Sequence, residues 1–421
     1  MKDGRLFRGM LVLVSALCLG GCLSGAKPVQ AAAAEQQVLE KASIAGLVAD
    51  WFKGSHPDVI LGRIIMTHTM DGKGRESRLK LVSLYRDMPT DKDISVAYAE
   101  RYGFKICASV EEALTLGTEK LAVDGVILST EWAPYPVSQT GQTMYPHRRL
   151  FEDTVEVFER SGRVVPVFID KHIGDTWEDS KWIYDTAVRM GIPLMAGSSV
   201  PVFDRSPRID VPRGAQLKEI VGVSYHTLDG YGFHGMEMVQ CLAERREGGE
   251  TGIKQVQCLT GDAVWEAAGR LYDRALLDAA VARLQRPMPE GKTLKDFVPE
   301  PVLFVMDYAD GLRVNLFTLN GFVNEWAAAW RTKDGQLSAT LFRADGRWPY
   351  MHFSCQLEGI EAMMLTGKPA WPVERTLMTS GALDALLISK KNGGRIVETP
   401  YLVFSYQSDW DWQPPTFPEY Q

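Results

Sequence analysis

No run of five or more basic residues occurs in the sequence, and its formal net charge is -7. The electrostatic footprint of a nucleic-acid binder is therefore missing, and none is expected as a partner. Cysteines never stand as C-x-x-C, which excludes the usual zinc spacing, and no metal is expected. No apolar stretch reaches the length of an ordinary membrane span. The first strand-like segment is not followed by G-x-G-x-x-G, the fingerprint of a dinucleotide-binding turn. Gly54 alone stands there. Internal repeats are absent, and the only biased tract is the Ala-rich stretch at residues 23–37.

What is present suits a folded chain that handles small molecules. Of 421 residues, 45% are hydrophobic and 24% charged, enough apolar material for two domains. Lys2, Arg5 and Arg8 precede a short apolar run from Met10 to Leu19, the charged and greasy parts of an export signal over residues 1–21. The ending Leu19-Gly20-Gly21-Cys22 resembles a bacterial lipobox. It implies lipidation of Cys22, a tether over residues 22–40, and attachment to a bacterial membrane on the periplasmic or cell-surface side through the lipid anchor only. A plain cleaved signal or an uncleaved anchor is the alternative. Beyond the signal and Cys22 the cysteines are Cys107, Cys241, Cys258 and Cys355, read as buried small hydrophobes, with a Cys241–Cys258 disulfide open.

Strand-like runs alternate with helical ones through residues 41–200. Strands are expected at Ser43–Asp50, Leu79–Arg86, Val123–Leu128, Val164–Ile169 and Ile192–Gly197, with helices at Pro57–Met70, Asp93–Tyr102, Ser109–Leu116, Arg148–Arg160 and Thr176–Met190. This spacing predicts an α/β fold whose N-terminal part is a Rossmann-like doubly wound parallel sheet. Residues 201–405 read instead as an α+β domain with a largely antiparallel sheet. Helices are expected at Gly235–Glu247, Ala263–Leu284 and Val373–Ser389. Strands are expected at Val302–Tyr308, Arg313–Leu319, Leu337–Phe342 and Tyr401–Tyr406, with turns at Asp310-Gly311, Asp334-Gly335 and Asp345-Gly346. An aromatic, Pro-rich tail closes the chain at residues 406–421.

In an open parallel sheet, ligands gather at the carboxyl ends of the strands. Three stretches fall there. At the first, Lys53, Gly54, Ser55 and His56 can meet a phosphate at a helix N-terminus, or simply cap that helix. At the second, Tyr85, Arg86 and Asp87 end a strand where an acid commonly reads a ribose and an arginine a 2′-phosphate; a surface ion pair is the alternative. At the third, "VPVFIDKHI" runs an apolar strand into Asp170, Lys171 and His172. A partly desolvated lysine there can polarise or protonate a substrate oxygen.

The ordered landmarks "AERYGFKICASVEEAL", "VDGVIL", His147 opening a helix, "VPVFIDKHI", "HGMEMVQCL" and "VERTLMTSGALDALLIS" resemble the Gfo/Idh/MocA oxidoreductases over residues 41–405. That resemblance implies NAD or NADP in the N-terminal half and a sugar or polyol substrate. It also implies a C-terminal sheet that often forms an interface in a homo-oligomer. Asp170-Lys171-His172 stands where the family has Glu-Lys-Pro, which carries the catalytic lysine to Lys171 and places Asp170 beside the nicotinamide. His234 stands at the histidine of a D-x-x-x-H motif, with Gly230 in place of its aspartate and Asp229 one residue out of register; capping its helix is the other reading. A catalytically inactive carbohydrate binder on the same fold, stacking sugars on Trp132, Tyr135, Tyr145, Trp410 or Trp412, is the rival function. A hydrolase or epimerase using transient oxidation by bound NAD is the third.

Overall fold

The computed structural model describes residues 41–344 and 346–416. The expected signal, the lipidated Cys22, the tether and Asp345 lie outside them. Six strands, β1 (Ala42–Val48), β2 (Leu79–Arg86), β3 (Lys105–Cys107), β4 (Gly125–Ser129), β5 (Val167–Asp170) and β6 (Leu194–Gly197), form one sheet in the order β3-β2-β1-β4-β5-β6. Every pairing in it is parallel. Five helices connect them: α1 (His56–Ile65), α2 (Ser95–Tyr102), α3 (Val110–Thr115), α4 (His147–Ser161) and α5 (Trp177–Met190). This is the doubly wound arrangement read from the sequence, with its switch point between β1 and β4 and with one strand, the three-residue β3, that was not among those expected.

Both faces of this sheet are dry, which is why its strands read as continuous apolar runs. Leu47, Val126, Leu128 and Ile169 pack with Leu150, Phe151 and Ile183 on one face. Ile44, Val48 and Phe168 pack with Ile60 and Leu61 on the other. Each such fully buried aliphatic or aromatic side chain contributes about 1.5–3 kcal/mol.

The second sheet has eight strands: β7 (Asp204–Ser206), β8 (Leu217–Ser224), β9 (Ile253–Thr260), β10 (Val302–Tyr308), β11 (Arg313–Thr318), β12 (Trp326–Thr332), β13 (Leu337–Arg343) and β14 (Val397–Glu398). Their order is β14-β9-β10-β11-β8-β12-β13-β7, antiparallel except for the parallel pair β8 and β11. Helices α6 (Phe233–Ala243) and α10 (Val373–Lys391) cover one face, and α8 (Arg274–Val281), preceded by the short α7 (Asp262–Glu266), covers the other. Helix α9 (His352–Thr366) returns to the first sheet, where Leu357, Ile360 and Met363 join the α1 core.

Three expectations are corrected. Helix α1 stops at Ile65, not Met70, because His68 commits its backbone N–H to Arg75 and its ring to buried Glu361 on α9. The expected helix Ala263–Leu284 is two helices, interrupted where Gly269 takes φ +74°. Tyr401–Tyr406 does not pair as a strand. Its Leu402 and Tyr406 turn into the core instead, and the Tyr406 hydroxyl donates to Glu244. The turns at Gly311 and Gly335 join β10 to β11 and β12 to β13, with φ +90° and +94°. Cys241 and Cys258 are separate buried thiols, each pushed up to about 12 by desolvation.

Candidate active site

A cleft of about 1170 Å³ opens at the carboxyl edge of the parallel sheet and is walled by the second sheet. Gly54, His56, Glu131, Lys171 and His234 all line it. Two strand ends and one helix start meet there. β4 ends on Ser129, two residues before Glu131, β5 ends on Asp170 and leads through a cis peptide from Lys171 to His172, and α1 begins at His56.

Lys171 is 2% exposed. Its ammonium donates to both oxygens of Glu131, at 2.5 and 2.6 Å. Glu131 was not among the residues expected in the site. Its one sequence signal is an acid just beyond the β4 strand, on the edge where ligands gather. Asp170 does not hold the lysine side chain. It accepts from the Lys171 backbone N–H at 3.0 Å and from the Ser129 hydroxyl at 3.1 Å, and it faces His56 Nδ1 at 2.6 Å. Burial works against a charged His56, yet the Asp170 and Glu131 carboxylates outweigh it and hold its pKa above the ordinary 6.5. Asp170 is desolvated too, but His56 and Lys171 bring its pKa below the usual 3.8.

His234 sits across the cleft on α6, its ring centroid 6.4 Å from that of His56. Ser198 Oγ lies 2.6 Å from its Nδ1. Desolvation, together with the positive neighbours Lys171 and His56, pushes its pKa well below 6.5, so the imidazole is neutral at pH 7. It does not act as a side-chain cap, since helix α6 has none. His172 is a strut: its Nε2 donates to the Asp229 carbonyl at 3.0 Å, and its ring meets the edge of Phe233 at 4.3 Å. That contact fixes the turn entering α6. Asp229 in turn accepts from the Thr143 backbone N–H at 3.0 Å. Gly230 faces Lys171: a Cβ built there would lie 3.9 Å from the ammonium nitrogen.

The other expected residues are placed differently. Ser55 is fully buried as the α1 cap, accepting from Asp58 N–H and donating to the Phe52 carbonyl. Gly54, at φ +84°, gives its N–H to Asp58 Oδ2 at 2.7 Å, and Pro57 in the first turn has none to offer. Arg86 pairs with Asp93 at 3.2 Å, while Asp87 accepts from Arg149, Tyr135 and Tyr85. Neither Arg86 nor Asp87 is among the residues lining the cleft.

Aromatic rings form part of the cleft wall. Tyr231 stacks on Trp326 with centroids 5.4 Å apart, Tyr225 meets Tyr231 edge-on and tilts against Trp326, and Trp132 is 51% exposed at the rim. Of the other aromatics singled out in the sequence, Tyr145 lies against His147, while Tyr135 and Trp412 are packing residues at 8% and 9% exposure. Trp410 packs against Trp371.

No family model and no curated relative matches the chain. Solved structures do. GenD2 from gentamicin A biosynthesis, determined in complex with NAD, is 14% identical over 85% of this chain and 96% of its own, with a TM-score of 0.55. The apo scyllo-inositol dehydrogenase from Lactobacillus casei is 13% identical over 85% and 98%, TM-score 0.53. An oxidoreductase from Agrobacterium radiobacter, in complex with NAD+, L-tartaric acid and magnesium, is 12% identical over 85% and 98%, TM-score 0.50. The resemblance read from the sequence holds at the level of architecture: this chain has the fold of the Gfo/Idh/MocA-type oxidoreductases.

Proposed function

We propose that the protein is an oxidoreductase acting on a hydroxyl-bearing carbon of a sugar or polyol, with NAD or NADP as the redox partner. The observation that carries this reading is the Lys171 side chain, bonded to both oxygens of Glu131 at the switch-point edge, with a neutral His234 across the cleft. A fixed ammonium can donate to the reacting oxygen, and a neutral imidazole can accept or relay its proton. Tyr231, Trp326 and Trp132 offer ring faces to an apolar sugar face.

The site fits a dinucleotide unevenly. The α1 N-terminus opens on the cleft through Gly54 and His56, and these residues would hold it, while Lys53 of the same turn lies outside the cleft lining with its ammonium 5.1 Å from the Trp348 ring centroid. When bound, its nicotinamide supplies or takes up the hydride. The phosphates gain fewer backbone donors than a glycine-rich turn offers, because Asp58 already takes the Gly54 amide. Weak, exchangeable nucleotide binding is the expected consequence. Purified protein is tested by calorimetric titration with added NAD and NADP and by reduced-nicotinamide absorbance against a polyol panel. Neither bound nor reducible nucleotide ends this reading.

The occupied Gly54 amide favours a second reading, a carbohydrate-binding protein without redox activity. Calorimetry against sugars with and without NAD(P) separates the two, since sugar binding indifferent to nucleotide supports the second. Export, the lipid anchor at Cys22 and homo-oligomerisation belong to the proposal and rest on Leu19-Gly20-Gly21-Cys22 and on the fold. Mass spectrometry of the mature N-terminus checks the anchor.

A further inference from the structure

We propose that Ser198 is a positioning residue: it holds the hydrogen of the His234 imidazole on Nε2, so that this wall of the cleft meets a substrate oxygen as a hydrogen-bond donor rather than a base. The inference deepens the oxidoreductase reading and rests on it for the substrate, though not for the imidazole itself. Ser198 follows β6 directly, is 3% exposed, and places its Oγ 2.6 Å from His234 Nδ1.

A count of partners locates the hydrogen. The Ser198 oxygen accepts from the Val200 backbone N–H at 3.0 Å. Among the described residues, its own O–H has one acceptor in reach, His234 Nδ1. Were Nδ1 to carry the hydrogen, the serine oxygen could accept from it, but the buried hydroxyl hydrogen would be left without a partner. With Nδ1 bare, the hydroxyl, the ring nitrogen and the Val200 amide are all satisfied. His234 holds a single ring hydrogen at pH 7, because burial and the neighbours Lys171, His56, His172 and His352 oppose a second. That hydrogen therefore sits on Nε2. Nε2 has no protein partner among the described residues, and His234 lines the open cleft.

A carboxylate at Nδ1 would do the reverse, accepting from Nδ1–H and leaving Nε2 bare as a base. The turn before α6 supplies none: Gly230 has no side chain, and Asp229 accepts from the Thr143 N–H. Ser198 is itself pinned by the helix that carries His234. Glu237, three residues further along α6 and so on the same face, accepts from the Ser198 backbone N–H and from Thr379 Oγ1 at 2.6 Å. Gly197 makes room for that carboxylate, since a Cβ there would lie 2.6 Å from Glu237 Oε2. Across the cleft, Lys171 gives two of its three N–H bonds to Glu131. Its third and the His234 Nε2–H are two donors in one cleft. An oxygen that accepts, such as a sugar or polyol carbonyl, is matched to both, whereas a hydroxyl that must lose its proton finds no base on His234.

The test is a long-range proton–nitrogen correlation spectrum of the full chain with 15N-labelled histidine, at pH 7 and without nucleotide or substrate. His234→Gln assigns the ring signals by their loss. A protonated Nε2 and a bare, hydrogen-bonded Nδ1 are expected. Ser198→Ala should weaken the preference for the Nε2–H form by about tenfold, because the buried bond that selects it is gone. Should Ser198→Ala fail to fold, Ser198→Cys keeps the test open, its thiol being a weaker donor of similar size. A parent ring protonated on Nδ1, or on both nitrogens, overturns the proposal. So does a ring spectrum indifferent to the serine substitutions. With neither nucleotide nor substrate present, each result is independent of the oxidoreductase reading.

Discussion

Glu131 holds the Lys171 ammonium at 2.5 and 2.6 Å from the β4 side, while Gly230 faces the same nitrogen from the opposite wall with no side chain to offer. The lysine's carboxylate partner therefore comes from the parallel sheet rather than from the turn before α6. Residue 230 can thus be glycine without leaving a buried ammonium alone.

Breaking the pair from one side should cost more than removing it whole. Glu131→Gln leaves a buried ammonium uncompensated, a loss of roughly 3–5 kcal/mol, whereas replacing both partners with apolar groups is often close to neutral. Chemical denaturation should accordingly find the double variant Glu131→Leu/Lys171→Met more stable than Glu131→Gln alone. A double variant at least as unstable as the single one would show that the pair is not the source of the loss. Both should also lack the proposed polyol oxidation.

A second carboxylate governs acid stability. Glu361 on α9 accepts from Ser77 Oγ at 2.6 Å, the Arg78 backbone N–H at 3.0 Å, Arg75 at 3.0 Å and His68 at 3.2 Å. Desolvation opposes its charge, but these bonds and the His68 and Arg75 charges bring its pKa down from 4.5 to about 2. A depressed carboxylate stabilises the fold above its unfolded pKa and loses that contribution as pH falls through the folded one. Glu361→Gln should thus cost about 2 kcal/mol at neutral pH, a figure reduced for the half-exposed arginines. The gap to the parent protein should close between pH 4.5 and about pH 2. Urea unfolding at a series of pH values reads this directly, and a pH-independent gap would contradict it.

The parallel sheet was legible because its strands carry a clear signal. "LKLVSLYR" and "VDGVIL" are short apolar runs between helices with visible caps, such as Ser109 over Glu112 and Thr176 over Asp179. The second sheet was harder to read. "WAAAWRT" of β12 carries alanines that favour helix, and it is a strand because β8 and β13 pair it on both sides. "HFSCQLEGIEAMMLT" of α9 has apolar residues on most of its surface, since it is packed between elements, and shows little periodicity. Of the residues expected at the site, Lys171 and His234 line the cleft. Glu131 and the His56–Asp170 contact were not legible, because each joins elements far apart in the chain.

Aromatic residues grouped together by composition should separate by experiment. Trp132, 51% exposed at the cleft rim, should change stability by less than about 0.5 kcal/mol when replaced by alanine. On the proposed function, its loss should raise KM for the sugar or polyol with kcat little altered, the mark of binding shared by ground and transition states. Trp412 is 9% exposed, donates its indole N–H to the Phe203 carbonyl at 2.8 Å and lies against Arg205. Trp412→Ala should destabilise by roughly 3–5 kcal/mol. Thermal unfolding and steady-state kinetics on the pair decide it, and equal Tm losses would refute the distinction.

Gly230 offers the most direct test of how the lysine is held. A side chain there would start 3.9 Å from Lys171 Nζ, with Thr227 Oγ1 at 3.3 Å as its nearest neighbour. A carboxylate at this position can reach the ammonium after a slight shift of the threonine hydroxyl. In the parent protein Glu131 already neutralises that charge, so Gly230→Asp should bring two carboxylates to one ammonium and lower stability. In Glu131→Gln the same substitution restores the missing partner. It should recover a large part of the roughly 3–5 kcal/mol lost, because an uncompensated buried charge regains a counter-ion. The sign of the Gly230→Asp effect should therefore reverse between the two backgrounds, a coupling that chemical denaturation of the four-member cycle measures. Additive effects would mean that residue 230 and Glu131 do not act on the same ammonium.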